Sequence, residues 1–353
     1  MNATTATALD AAPVARPQPH PTRRFALLLR REFWEHKGGF LWAPVIAGAI
    51  SLLLTAVFIV IAYVAASRLS GDEAIVLDDG TSMSINGLDL GALTSQMSAE
   101  DMQQLAAGID MTMLMSSSWP FIALGFVVFF YCLGALYDER KDRSVLFWKS
   151  LPLSDSATVL SKVASATLVA PLIATLAAIG TMFAFLLMIS IVVMFHGGDP
   201  LQLIWGPGSP LRLSAQLLAA IPVYALWALP TVGWLMLCSV WARSKPFLWA
   251  LMVPVLAGVF VSMAGLMRLA ALETSWFWTN IVARMLLSVV PITGADLARM
   301  GRTDFDTPGA VVELFSVAAM YANLATPQLW IGAVAGVLMI YVAIRLRRWR
   351  DDG

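Results

Sequence analysis

Val163–Phe195 reads VASATLVAPLIATLAAIGTMFAFLLMISIVVMF, 33 residues without a single Asp, Glu, Lys or Arg. A helix needs about 20 mostly apolar residues to cross roughly 30 Å of hydrocarbon. This one stretch is therefore long enough to span a bilayer. Its apolar run is continuous rather than alternating, which speaks for a helix and against a barrel strand.

Five further windows free of those four residue types reach at least 22 residues: Gly38–Ser67, Met111–Tyr137, Leu213–Ala242, Pro246–Met267 and Leu314–Ile344. No other uncharged window reaches 18 residues. Pro171, Pro230 and Pro254 lie inside such windows, where neighbouring helices can re-satisfy the freed carbonyls. The fold class expected is an all-α polytopic membrane protein with six transmembrane helices, at about 41–66, 117–137, 163–194, 215–241, 246–267 and 326–345. Composition agrees. Of 353 residues 59% are hydrophobic and only 13% charged, about half the charged share of a soluble domain. A single core has no use for so much apolar residue at this length, so lipid is the remaining solvent.

Charge fixes the expected orientation. With the N-terminus inside, six spans return the C-terminus to the same side, and 17 basic residues fall inside against six outside. The inner set includes Arg23, Arg24, Arg30, Arg31, Arg140, Lys141, Arg143, Lys149, Lys162 and the tail Arg345–Arg350. Counting acids as well, the inner face is +8 and the outer face −8. Lys and Arg accumulate in cytoplasmic loops, so both termini are expected in the cytoplasm. Trp42, Trp241 and Trp249 near the inner borders and Trp119 and Trp330 near the outer ones suit an interfacial belt. Trp276–Val290 is apolar but short and carries Arg284. A seventh span there would put the basic tail outside, so an outer re-entrant or interfacial helix is expected between spans five and six.

The remaining organisation follows. Residues 1–22 are rich in Ala, Thr and Pro, have no apolar signal region and read as a disordered cytoplasmic tail. Residues 23–37, RRFALLLRREFWEHK, place Phe25, Leu28, Leu29 and Phe33 on one helical face with most of the arginines opposite. Glu32 interrupts the apolar face and Trp34 the polar one. An interfacial amphipathic helix is expected there. Then come an acidic outer loop over 68–116, an inner loop over 138–162, an outer segment over 268–325 and a short cytoplasmic tail over 346–353.

Several chemistries find no support in the residues. No apolar window holds the ionisable group that a proton- or ion-coupled transporter places in the membrane. There is no phosphate-cradling GxxxxGK[ST] loop, and Glu32–His36 lacks the first His of an inverted zinc motif. Met111, Met113 and Met115 offer soft sulfur of the kind that suits Cu(I). They abut the second span with no His in the loop, and Met is a common gap-filler in packing. No catalytic, cofactor or metal residues are assigned. Cys132 and Cys238 read as small buried hydrophobes, and zero net charge gives no reason to expect nucleic acid.

The inner loop reads DERKDRSVLFWKSLPLSDSATVLSK from Asp138 to Lys162. Six charges in a row precede an apolar knot, Val145–Trp148. Pro152 then ends any helix, and Ser154 or Asp155 can cap the next. An apolar knot flanked by mixed charge is a plausible docking surface. Here the chain resembles the membrane subunits of type-2 ABC exporters. Glu139, Ser144, Leu146, Leu151, Pro152, Leu153, Ser154 and Lys162 match the pattern of that family's first cytoplasmic loop. Arg143 stands where Gly is usual, and Val145 is inserted. The amphipathic lead-in, six spans with both ends inside and the outer helices between spans five and six extend the resemblance.

That resemblance implies a non-catalytic permease subunit in a bacterial cytoplasmic (inner) membrane. The 138–162 loop would form a coupling helix against a separate cytoplasmic ABC ATPase, which would hold the ATP and Mg. The expected contacts to it are Glu139, Arg140, Lys141, Arg143, Phe147, Trp148 and Lys149. A second permease copy or a sister permease would complete the pathway, with membrane lipid around it. The alternatives are a secondary transporter, disfavoured by the uncharged spans, and a non-transporting membrane scaffold or assembly factor.

Overall fold

The computed structural model describes residues 21–69, 75–76, 82–83, 97–142, 154–267, 273–290, 312–313 and 316–350. The described residues are helical apart from short connections and a two-residue antiparallel pairing, Ile75–Val76 with Ser82–Met83. Six helices are long and apolar enough to cross a membrane, as the apolar windows require. The expected tail over 1–22 lies outside the described residues, except that Pro21 and Thr22 already belong to the lead-in helix Pro21–Glu35.

The spans extend beyond the apolar windows where polar residues can be capped or paired. The first begins with a π turn, Gly38–Trp42, and continues as Ala43–Leu69. The second is approached by an 18-residue helix, Ala99–Ser116, within the expected outer loop. That helix starts on a capping box in which Ser98 and Asp101 bond each other's backbone N–H, satisfying donors that no helical carbonyl reaches. It stops at a serine run. Ser116, Ser117 and Ser118 turn their hydroxyls onto the carbonyls of Met113, Leu114 and Met115, at 2.9, 3.0 and 2.7 Å. Such back-bonding competes with the ladder, and Pro120 removes a further donor. The helix restarts as Trp119–Gly134.

The third span begins earlier than its apolar window, at Asp155–Ala164, and passes through a π turn, Ser165–Val169, into Ala170–Phe195. Ser154 is its cap, accepting from the Ala157 N–H at 3.2 Å. The fourth, fifth and sixth are Pro210–Trp241, Pro246–Leu266 and Pro327–Arg350. The sixth thus runs as helix through residues first read as the start of a tail at 346; residues 351–353 lie outside the described set.

Burial separates an axle from a rim. The most apolar window of the fourth span is 72% buried, against 17% for the fifth and 11% for the first. The fourth packs most closely on the sixth, and glycine makes that possible. A Cβ on Gly233 would lie 2.5 Å from the Gly336 carbonyl oxygen, and one on Gly336 would strike the Leu229 carbonyl. Small residues let membrane helices approach at backbone distance, where packing replaces the absent hydrophobic drive. The core around these helices includes Cys132 and Cys238, both free and buried.

Thr274–Phe277, a π turn Trp278–Val282 and Ala283–Leu287 form one short helical segment after the fifth span. It is too short to cross. It lies against the fourth and fifth spans, with Trp278 Nε1 donating to Ser262 Oγ at 3.0 Å and Thr231 Oγ1 to the Arg284 carbonyl at 2.7 Å. Of the methionines expected at the start of the second span, Met111 packs against a small core cluster. Met113 is fully buried against Met182 and Phe185, while Met115 is exposed.

Candidate functional site

Five polypeptide segments meet at one end of the bundle, and one polar side chain from each is buried there. Glu32 comes from the lead-in helix, and Glu139 from the short helix Tyr137–Lys141 that follows the second span. Lys162 comes from the first turns of the third span, and Arg347 from the end of the sixth. Tyr131, in the second span, completes the set.

Lys162 is the hub. Its Nζ lies 3.1 and 3.2 Å from the two Glu32 carboxylate oxygens and 3.1 Å from Glu139 Oε1. Tyr131 donates its hydroxyl to Glu32 Oε2 at 2.8 Å. Arg347 Nη1 sits 3.0 Å from Glu139 Oε2, and its Nε lies 3.5 Å from Asp155. Arg31 adds a longer contact to Glu139 at 3.9 Å and pairs with Glu35 at 3.1 Å. Glu32 and Lys162 are only 1% and 2% exposed. Ions so far from water are tolerated only when paired with good geometry and further hydrogen bonds. Here two cations face two carboxylates at the centre, and the set is neutral.

The sequence places Glu32 on the apolar stripe of its helix, four residues after Leu28, and that position is what buries it. The expected amphipathic face is real: Leu28 is buried and Phe33 packs on the main core. It is covered by the start of the third span, and Glu32 reaches Lys162 through it. Trp34 is exposed and stacks near Lys37, whose Nζ lies 5.7 Å from the ring.

The turn after the second span is sewn to the end of the fourth. Ser239 Oγ accepts from the N–H groups of Leu136 and Tyr137 at 3.0 and 2.8 Å. Arg140 donates to the carbonyls of Val240 and Ala242. Of the residues expected to contact a partner, Glu139 and Arg140 are thus engaged within the chain, while Lys141 is exposed. Arg143, Phe147, Trp148 and Lys149 lie outside the described residues.

A second buried charge lies away from this end. Arg284 stacks on Trp227, its guanidinium carbon 3.8 Å from the ring centroid, and donates from Nη1 to the Gln328 carbonyl at 2.7 Å. No carboxylate among the described residues pairs with it. Asp110, also buried, accepts from the Ser209 N–H at 2.8 Å and from its hydroxyl, placing a negative charge where the fourth span's unpaired N–H groups begin.

In the sequence Glu32 is a flaw in a pattern, and nothing there marks Tyr131 as its neighbour or Arg347 as the partner of Glu139. The register of Glu32 on the stripe was the one local signal. Among the described residues no three His, Cys, Asp or Glu side chains gather as metal ligands. Compared with protein-family models, curated proteins and solved structures, the chain matches none of them, so its functional reading stands on the geometry of this charged end.

Proposed function

We propose that the chain is the permease subunit of an ATP-driven ABC exporter, with its charged end in the cytoplasm. It would work as a dimer or beside a sister permease, and its 138–162 loop would engage a separate ATPase. One observation supports this reading above the others. Glu139 and Lys162 stand at the two ends of that loop and meet at 3.1 Å. Both stems are clamped together and tied onward, through Glu32 to the lead-in helix and through Arg347 to the sixth span. Arg140 ties the same stem to the fourth.

A push delivered to the loop would therefore move these elements as one body. Packed, fully paired groups transmit displacement because interiors are close-packed and have discrete arrangements. In this division of labour Glu139 and Arg140 brace the loop from within. Lys141, Arg143 and Lys149 tune encounter with the partner as rim charges do, and Phe147 and Trp148 anchor it. The excess of Lys and Arg at this end supports the cytoplasmic orientation.

The test is co-purification of a cytoplasmic ATPase with the tagged chain from native membranes. Trp148→Ala should weaken recovery by about thirtyfold, the equivalent of 2 kcal/mol at a buried aromatic anchor, without affecting insertion. Lys149→Ala should do far less. Unchanged recovery for both Phe147→Ala and Trp148→Ala refutes the docking role. The isolated chain should neither bind nor hydrolyse ATP. Leu90→Cys, in a background lacking Cys132 and Cys238, should label from outside intact cells; labelling only after lysis overturns the orientation.

A further inference from the structure

Beside the charge cluster, between the start of the first span and the end of the second, is a cleft of about 600 Å³. Pockets for small ligands span about 300–1,000 Å³, so it is large enough to hold one. Its floor is the Glu139–Lys162 pair, already neutralised. One wall is apolar: Phe126 and Phe130, 65% and 56% exposed, present their rings on the outer surface of the second span. Phe130 also stacks on Phe247 of the fifth span at 6.2 Å. A surface of this kind within a span has lipid as its solvent.

The mouth has the opposite character. Asp138 and Asp142 line it, both exposed, and no cation among the described residues pairs with either. Asp138 is folded back over Gly134, where a Cβ would come within 2.6 Å of its Oδ2. The missing side chain of Gly134 therefore leaves room for this carboxylate at the cleft. Glu35 adds a third acid, paired with Arg31, and His36 stands beside it. Gly38 opens the remaining side: a Cβ built there meets nothing within 4 Å. An apolar trough that faces lipid and ends at two exposed carboxylates complements one kind of molecule, an amphiphile with a cationic head.

We propose that this cleft seats a bilayer phospholipid whose headgroup ends in a primary ammonium. The ammonium lies between Asp138 and Asp142, and an acyl chain lies along Phe126 and Phe130. A primary ammonium donates hydrogen bonds to both carboxylates, and charge-assisted bonds of this kind are the strong ones. A quaternary head cannot donate, and a head carrying only phosphate is repelled. The site needs only the bundle and its lipid, and stands whether or not the chain couples to an ATPase.

Native mass spectrometry of the whole protein, incubated in detergent with phosphatidylethanolamine, phosphatidylcholine or phosphatidylglycerol, tests it. Phosphatidylethanolamine should be retained about tenfold more than either of the others, the scale of one charge-assisted hydrogen bond. Asp138→Asn with Asp142→Asn should erase that preference, and Gly38→Phe should exclude lipid by filling the open side. Both variants change exposed positions and should keep the parent's unfolding temperature. Equal retention of the three lipids overturns the proposal, as does a preference that survives both variants. Retention of dodecylamine without retention of phosphatidylethanolamine also overturns it, and would reassign the cleft to soluble cationic amphiphiles.

Discussion

Two sites in this bundle bury charge by different means. At one end Lys162 and Arg347 face Glu32 and Glu139, and every charge has an opposite within 3.2 Å. Elsewhere Arg284 is buried with no described carboxylate beside it, held by a carbonyl at 2.7 Å and the face of Trp227. The first arrangement is strong but interdependent, since removing one ion strands another in a medium that solvates it poorly. The second uses fixed dipoles and a ring quadrupole, which carry no net charge to strand. A balanced cluster should therefore be brittle to single substitutions, and a lone cation on neutral partners more forgiving.

The largest expected effect breaks the cluster at its hub. Lys162→Met leaves Glu32 and Glu139 facing each other and should cost about 3–5 kcal/mol, read from chemical unfolding in detergent. Adding Glu32→Gln should recover part of that loss, because it removes one stranded carboxylate. A cost below about 1 kcal/mol, the value of an exposed pair, would mean that water reaches Lys162 and that the site is not a buried one.

Ser239→Ala comes next and sharpens the comparison by disturbing the same end without touching a charge. It strips the acceptor from the N–H groups of buried Leu136 and half-buried Tyr137, and should cost about 1–3 kcal/mol. Thermal unfolding alongside Lys162→Met separates the contribution of ion pairing from that of backbone satisfaction.

Arg284→Met should cost less, about 1–2 kcal/mol, because removing the guanidinium also relieves its own burial penalty, which offsets part of the hydrogen bond and the cation–π contact that are lost. Only the Gln328 carbonyl is left wanting a donor. If this substitution proved as damaging as Lys162→Met, a partner carboxylate for Arg284 would have to exist and the contrast between the two sites would fail. The smallest effect belongs to Ser154→Ala, which removes the cap of the third span and should cost about 1 kcal/mol. Helix content by circular dichroism should hardly change, with fraying confined to the turns before Lys162.

Glu32 shows how far the sequence could be read at the candidate site. Within residues 23–37 it is a blemish on an apolar stripe, and its register hints that something polar is buried there. Its partner, Lys162, lies 130 residues away, and no local pattern joins them. Arg347 was legible only as one more charge in a basic tail, yet it is 5% exposed and closes the cluster. The helix Ala99–Ser116 within the outer loop escaped notice for a related reason: it carries three acids and looks like loop by composition, but a capping box and the contact of Asp110 with Ser209 satisfy its polar groups.

The sequence by itself determined that six helices are long and apolar enough to cross a membrane, and that the lead-in helix is amphipathic. Transfer into hydrocarbon is nearly additive over some 20 neighbouring residues, so a one-dimensional sum captures it. Only the tertiary structure decided that the fourth and sixth spans touch at Gly233 and Gly336, that Glu139 and Arg140 turn inward, and that Lys162 joins two acids from distant segments. Ion pairing and backbone contact act over a few ångströms in space, and proximity in space between remote residues is what folding creates.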